Sequence, residues 1–207
     1  METPESTACP KLSFNNYQDS DMICILKFGD GSKEPMREYH LHQTLVCDYS
    51  DYFKIHCSFA LSDADGRKIV HVFAIPSIFE KIFRWIYGDW DLSEWNDVDT
   101  ILEALTYIFT YFEGPKMNDL RMKLLERLFS SKLQKEGDSQ DTYTPWGLLN
   151  LVCSSAADWN DCEFLRKFLK AHTPEIKVPL DWLEKLATEP ESVNGFLAAL
   201  LIPKNQG

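Results

Sequence analysis

The chain has no apolar run that approaches the roughly 18–20 residues needed to cross a membrane. Its first residues, 1–6, are acidic and lack the basic and then apolar pattern of a secretory signal. Basic residues are scarce, since 21 Lys and Arg stand against 32 Asp and Glu and leave a formal net charge of −11. Nucleic acids and anionic membranes both require clustered Lys and Arg. We therefore expect an intracellular protein, cytoplasmic or nuclear, that binds neither of them.

Paired cysteines and cofactor motifs are also missing. The six cysteines are scattered without a C-x-x-C pair, which favours free, mostly buried thiols in a reducing compartment. The sequence 29–32 is typical of a hairpin turn and not of a phosphate loop. His40 and His42 lack the cysteine pair that would complete a zinc site. His56 and Cys57, as helix neighbours, point about 100° apart. We expect no metal, no cofactor and no catalysis, with a Cys/His enzyme as the contrasting alternative.

The residues that are present favour a folded domain, because 44% are hydrophobic and 13% aromatic. Runs rich in β-formers predict strands over 22–28, 36–41 and 68–73. Apolar residues at helical spacing predict helices across 45–53, 78–87, 101–112 and 120–129. The predicted order is β-β-α-β-α-(β)-α-α, an α+β fold in which helices cover a small sheet.

The predicted organisation has four parts. Residues 1–18 are polar and contain proline, so we expect a mobile tail. Residues 19–133 form the α+β domain, and 134–144 are polar without periodicity, which predicts a linker or loop. Residues 145–202 carry helical patterns throughout and predict an all-α extension.

Four short motifs occur in order along the domain. They are Ser20-Asp21-Met22, Tyr39-His40-Leu41-His42-Gln43, Ser50-Asp51-Tyr52-Phe53 and Trp85-Ile86-Tyr87-Gly88. Their order and spacing resemble the BTB/POZ domain, and the likeness covers about residues 20–130. The stretches 149–155 and 162–166 resemble the short helical extension of fungal BTB proteins. The resemblance implies a BTB/POZ fold with a three-stranded sheet, in which Asp21, His42, Gln43, Tyr87 and Gly88 occupy structural family positions.

One family position differs in this chain. Several BTB proteins pair the strand-start Asp with a Lys or Arg after the helix-entry His, but here Asp21 faces Gln43, which cannot neutralise a carboxylate. We expect Asp21 to be solvated, hydrogen-bonded to backbone or to His42, or raised in pKa. Asp21 is therefore interpreted as a structural strand-end residue.

The resemblance also implies a function. BTB proteins are non-catalytic interaction modules, and the best-defined kind is the substrate adaptor of a cullin-type ubiquitin ligase. Such adaptors carry a hydrophobic-x-Glu element that contacts the cullin scaffold, and Leu61-Ser62-Asp63 occupies the matching place. The alternative for this segment is a polar loop that joins helix to strand. The alternative for the protein is a scaffold or transcription-associated factor that does not bind a cullin. Tyr52, Trp90 and Trp95 complete the predicted partner-binding residues.

The tryptophans and the N-terminal segment leave two questions open. Trp85, Trp90 and Trp95 lie among acidic residues, so they form either an exposed anchor for a basic partner or a cluster in which only Trp95 is partly exposed. The polar segment before Asp21 is short for the exchanged helix and strand of dimeric BTB domains. We therefore expect a monomer or a weak homodimer.

Overall fold

The computed structural model describes residues 12–28, 35–130, 149, 152–153 and 162–172. These residues form a mixed α+β protein with a small three-stranded sheet and six helices. The elements are β1 (Met22–Lys27), β2 (Arg37–Leu41), α1 (Gln43–Tyr49), α2 (Asp51–Phe59), β3 (Lys68–Phe73), α3 (Pro76–Ile86), α4 (Val98–Tyr111), α5 (Asn118–Leu128) and α6 (Cys162–His172). Single 3-10 turns, Leu92–Glu94 and Pro115–Met117, precede α4 and α5. The described residues divide into two compact units, the first from residues up to 48 and from 52 to 90, the second from 49–51 and from 91 onward.

The sheet lies in the first unit and has the order β2-β1-β3. β1 pairs antiparallel with β2 and parallel with β3. Side chains alternate between the two faces, so Cys24 and its parallel partner Val70 are buried together, whereas Ile25 and its partner His71 lie on the opposite face. The three predicted strands are confirmed, with ends that differ by one residue from those expected for β1 and β2.

The core of the first unit is aromatic. Phe83 of α3 lies with its ring centroid 5.1 Å from Phe79, 6.0 Å from Phe53 of α2 and 6.0 Å from Tyr39 of β2. α3 starts with Pro76 in its first turn, where a missing N–H has no cost, and its apolar positions are buried as the spacing predicted. This packing fixes α2 and α3 against one face of the sheet.

The helix predicted across 45–53 is two helices. α1 ends at Tyr49 and α2 begins at Asp51, and Ser50 lies between them. The Ser50 hydroxyl is buried and donates a hydrogen bond to the backbone carbonyl of Tyr111, 61 residues further along. The break between α1 and α2 thus lies at a residue whose side chain is bonded to a distant part of the chain.

The helices α4 and α5 belong to the second unit. The Asp97 carboxylate accepts a hydrogen bond from the backbone N–H of Thr100 at 2.7 Å, which caps α4. Arg121 of α5 is buried, and its guanidinium donates to the Phe112 carbonyl at 2.8 Å and to the Asn118 side chain at 2.9 Å. These two hydrogen bonds satisfy part of the donor capacity of a cation that is costly to bury, while its Nε is buried without a hydrogen-bond partner among the described residues.

The described part of the predicted tail lies against the first unit. The Phe14 ring packs 5.9 Å from Tyr39 and 5.6 Å from Tyr87. The Asn15 side chain accepts the backbone N–H of His40 at 2.8 Å, and Asn15 itself has a φ of 54°, a conformation that asparagine tolerates better than most residues. Residues 12–18 thus make specific contacts, which the expectation of a mobile tail did not include.

Two predicted regions fall largely outside the described residues. The linker 134–144 lies wholly outside them. Of the extension 145–202, the structure describes α6 and the helical residues 149 and 152–153, and Leu149, Val152 and Cys153 are all buried. Within the described ranges, every helix is too short or too polar to cross a lipid bilayer.

Candidate interaction surface

An open groove of about 350 Å³ lies between α2 and β3 in the first unit. The α2 wall is formed by Ile55, His56, Phe59 and Ala60, and the β3 wall by Ile69, Val70 and His71. Most of these side chains are apolar, and the two titratable ones are imidazoles. A groove of this composition can receive an apolar side chain of a partner.

The groove exists because α2 is apolar on two sides. Phe53 and Cys57, four residues apart, point into the core, whereas Ile55 and Phe59, also four apart, point outward. Phe59 is 85% exposed and Ile55 is more than half exposed. The outward residues therefore contribute nothing to the core that the inward residues form.

Leu61 and Phe73 are exposed apolar residues close in the chain to residues that line the groove. Leu61, just after α2, is 82% exposed, and Phe73, at the end of β3, is more than half exposed. We call Ile55, Phe59, Leu61 and Phe73 the α2–β3 surface. Complete burial of a Leu, Ile or Phe side chain is worth about 1.5–3 kcal/mol, so a partner that covered this surface would gain substantially.

Asp63 organises the loop between α2 and β3. Its Oδ1 accepts the backbone N–H groups of Asp65 at 2.9 Å and Arg67 at 2.8 Å, and its Oδ2 lies 2.7 Å from both Nε and Nη2 of Arg67. Beside this turn, Ile69 donates its backbone N–H to the Leu61 carbonyl at 2.9 Å, and Ser62 forms a β-bridge with Lys68. The loop is therefore a tight hairpin that presents Leu61 outward and turns the Asp63 carboxylate inward.

The electrostatics of the loop follow from these contacts. Partial desolvation opposes ionisation of Asp63, but the hydrogen bonds from Arg67 and Asp65 outweigh it and lower the pKa of the carboxyl. Both Asp63 oxygens are already engaged within the loop. The arrangement matches the alternative of a connecting polar loop for Asp63, while Leu61 remains available to a partner.

Tyr52 lies on α2 beside the groove and is half-buried. Its ring stacks on the ring of His56 at a centroid distance of 3.9 Å, and Nδ1 of His56 is 3.0 Å from the Tyr52 carbonyl oxygen. Among the predicted partner-binding residues, Tyr52 thus contacts His56, which lines the groove, and Leu61 follows Ala60, which also lines it.

The predicted tryptophan anchor is corrected by the structure. Trp95 is 1% exposed within the second unit, and its backbone carbonyl accepts a hydrogen bond from Nε of Arg127 at 3.0 Å. The expectation that Trp95 would be the exposed member is therefore wrong, because tertiary packing covers the whole ring. Trp85 and Trp90 are half-buried in the first unit.

The residues that carry the resemblance at the entry to α1 are hydrogen-bonded in two pairs. The Asp21 carboxylate is exposed and accepts the backbone N–H of Gln43 at 2.5 Å, so it is both solvated and hydrogen-bonded to backbone, as two of the expected states describe. The Tyr87 hydroxyl oxygen accepts the backbone N–H of His42 at 2.7 Å. Burial raises the pKa of Tyr87 to about 12, although the bond from His42 opposes this shift.

Gly88 follows Tyr87 at the end of α3. Its φ is 74°, in the left-handed region, and its backbone N–H bonds to the Trp85 carbonyl at 3.0 Å. No atom would contact an added Cβ within 4 Å. Glycine is therefore favoured here by backbone conformation and not by lack of space.

The candidate chemical groups do not converge. His56 is exposed and stacks on Tyr52, whereas Cys57 is buried on the other side of α2 with its Sγ 3.3 Å from Sδ of Met22. Burial, with smaller contributions from Cys47 and Asp21, raises the pKa of the Cys57 thiol to about 12. Within the described part of the chain, no group of three or more His, Cys, Asp or Glu side chains is placed to hold a metal ion.

Ile55, Phe59 and Phe73 were absent from the partner-binding residues that the sequence predicted. A signal for two of them exists in α2, where an amphipathic helix with Phe53 and Cys57 inside should carry polar residues at 55 and 59. Apolar residues on the wrong face of a helix are therefore the pattern that identifies this surface.

No protein-family model matches the chain, and no curated protein sequence matches it significantly.

Proposed function

We propose that this chain is a non-catalytic protein–protein interaction module of the BTB/POZ type, and that it acts as a substrate adaptor for a cullin-type ubiquitin ligase. One observation carries the proposal. Leu61 is the apolar residue of the segment that resembles the cullin-contacting element. It is 82% exposed, follows Ala60, which lines the groove between α2 and β3, and accepts the backbone N–H of Ile69 in the opposite wall.

The arrangement of elements supports the BTB/POZ part of the proposal. A small three-stranded sheet with helices packed on it is what the resemblance implies for residues 20–130. The positions that carry the resemblance also contact one another, since Asp21 bonds to Gln43 and Tyr87 bonds to His42. Residues that are far apart in sequence thus have a common structural role at the start of α1.

The energetics of the α2–β3 surface support the docking part. A partner that covered Phe59 and Leu61 would remove two almost fully exposed apolar side chains from water, at about 1.5–3 kcal/mol each. Anchors of this kind, clustered beside a groove, are typical of the residues that dominate binding energies. Asp63 would act as a positioning residue, because its bonds to Arg67 hold the hairpin that presents Leu61.

Isothermal titration of a cullin N-terminal domain into the full chain tests the proposal. We expect binding with a Kd below about 50 μM and a loss of at least about tenfold for Leu61→Asp, equivalent to about 1.4 kcal/mol. Met36→Asp is the matched control, since Met36 is 64% exposed and precedes β2, at the opposite edge of the sheet from β3. Undetectable binding at that concentration, or equal affinities for wild type and Leu61→Asp, would exclude the adaptor role.

A BTB scaffold or transcription-associated factor that does not bind a cullin is the second candidate. The observation that favours it is the internal saturation of the Asp63 carboxylate, which leaves no oxygen for the contact that the family Glu would make. The same titration separates the two candidates, because only the adaptor requires the cullin domain to bind.

A further inference from the structure

The segment before β1 contacts the hairpin between α2 and β3 through Tyr17. The Tyr17 hydroxyl donates a hydrogen bond to Oδ2 of Asp65, 48 residues further along the chain, at 3.0 Å. Its ring lies 4.1 Å from the guanidinium carbon of Arg67, within the range of a cation–π interaction. Both partners belong to the loop that Asp63 organises, so one side chain joins residues 12–20 to that loop.

The same segment is anchored on the sheet and on α3. The Phe14 ring packs on Tyr39 of β2 and on Tyr87 at the end of α3. The next residue, Asn15, accepts the backbone N–H of His40 with its side-chain oxygen. Tyr17 therefore extends from a backbone that is already fixed two residues earlier.

A hydrogen-bonded turn holds the backbone around Tyr17. The Asn16 side chain donates to the Asp19 carboxylate at 2.9 Å and accepts the backbone N–H of Gln18 at 3.2 Å. The Ser20 hydroxyl donates to the Tyr17 carbonyl at 3.1 Å. Asn and Ser side chains commonly close turns in this way. The turn leads directly into β1, so both ends of the segment are tied to the first unit.

Arg67 is the residue that the Tyr17 ring covers. Its side chain is 11% exposed, and its guanidinium donates to Asp63 at 2.7 Å and to Asp65 at 2.8 Å. The ring shields one face of this guanidinium from water. Because water weakens ion pairs, loss of the ring should weaken both of the pairs that close the loop.

We propose that residues 12–20 are a strap that holds the 61–69 hairpin closed through Tyr17, and that the strap sets the affinity of the α2–β3 surface for its partner. The second part rests on the proposed function, because the hairpin is the segment that presents Leu61. A hairpin that is ordered in the free protein loses less conformational entropy when a partner covers Leu61. The partner therefore binds more tightly while the strap is in place.

Amide hydrogen exchange of the full chain, resolved by residue with NMR, tests the first part. The reporters are the backbone N–H groups of Asp63, Gly66 and Arg67, which are all hydrogen-bonded within the hairpin. In Tyr17→Ala these amides should exchange about three- to tenfold faster, because a cation–π contact and a hydrogen bond are lost. Amides in β1 should keep their wild-type rates.

Two further variants sharpen the result. Tyr17→Phe keeps the ring over Arg67 and loses only the bond to Asp65, so it should accelerate the reporters less than Tyr17→Ala. Gln18→Ala is the matched control, since Gln18 is exposed and the change keeps its backbone N–H in the turn. Unchanged reporter rates in Tyr17→Ala would overturn the strap. Equal acceleration in β1 would also overturn it, because Tyr17 would then merely stabilise the whole fold.

Isothermal titration with the cullin N-terminal domain tests the second part. Tyr17→Ala should raise the Kd by at least about threefold, and Gln18→Ala should leave it unchanged. Equal Kd values for wild type and Tyr17→Ala would overturn the effect of the strap on affinity. If the wild type does not bind, the proposed function fails together with this second part, whereas the exchange rates still decide whether the strap holds the hairpin.

Discussion

The Tyr87 hydroxyl oxygen accepts a hydrogen bond from the backbone N–H of His42 at 2.7 Å and lies 3.0 Å from Nδ1 of the same residue. The hydroxyl therefore contacts both the backbone N–H and the ring of His42, and which of the two groups donates in the Nδ1 contact depends on the ring tautomer. His42 Nε2 is buried without a hydrogen-bond partner. Tyr87, at the end of α3, thus holds both the backbone and the ring of the residue that precedes α1.

Tyr87→Phe should destabilise the protein. The variant leaves the His42 N–H and Nδ1 buried without a partner, which costs about 1–3 kcal/mol of unfolding free energy. Urea denaturation followed by circular dichroism measures the difference. Tyr17→Phe removes the same hydroxyl from an exposed bond to Asp65 and should change stability by less than about 0.5 kcal/mol. Equal effects of the two variants would contradict the assigned role of Tyr87.

The unfolding free energy at alkaline pH should depend on the same tyrosine. The pKa of Tyr87 is raised to about 12, whereas an unfolded tyrosine ionises near pH 10. Between these values the folded state holds the proton that the unfolded state has lost, so the stability from Tyr87 is complete below about pH 10 and falls as pH rises toward 12. Unfolding free energies measured across this window should fall less steeply for Tyr87→Phe than for wild type, and parallel curves would refute the assignment.

Acid titration should report on Asp63. Its pKa is lowered in the folded state, so its contribution to stability is complete above the ordinary carboxyl value of about 4 and is lost as pH falls through the folded pKa. Asp63→Asn should be less stable than wild type at pH 7, and the gap should narrow below about pH 4. Asp119→Asn is a control at an exposed i,i+4 pair with Lys123. A gap for Asp63→Asn that does not depend on pH would show that the carboxylate charge is not involved.

Substitution of two phenylalanines should distinguish a ring that stabilises the fold from a ring that is available to a partner. Phe83→Ala removes a ring that contacts Phe53, Phe79 and Tyr39 in the core and should cost about 3–5 kcal/mol of unfolding free energy. Phe59→Ala alters a side chain that is 85% exposed and should cost less than about 0.5 kcal/mol. Thermal denaturation of both variants gives the comparison. A large loss for Phe59→Ala would mean that this ring stabilises the fold and is not held for a partner.

Local patterns in the sequence predicted the strands and α3 well. β3 was predicted over 68–73 because that run is rich in β-formers, and α3 was predicted across 78–87 from apolar residues at helical spacing. In each case the determining interactions lie within a few residues of one another.

Features that depend on distant contacts were not predictable in this way. Ser50, at the break between α1 and α2, bonds to the Tyr111 carbonyl 61 residues away, and the carbonyl of the buried Trp95 accepts from Arg127 32 residues away. Asp63 is an intermediate case, because a carboxylate four residues before Arg67, with Gly66 between them, is a local signal for a closed turn. The resemblance implied a partner contact at Asp63. The spacing of Asp63 and Arg67 instead indicates an ion pair within the loop.

Hydrogen–deuterium exchange of the full chain, free and with a saturating cullin N-terminal domain, tests most directly whether the α2–β3 surface is the docking site. The proposed function predicts slower exchange on binding within residues 55–73, and unchanged exchange in β2 at the opposite edge of the sheet. Protection confined to β2 or to the second unit, with residues 55–73 unchanged in the complex, would contradict it.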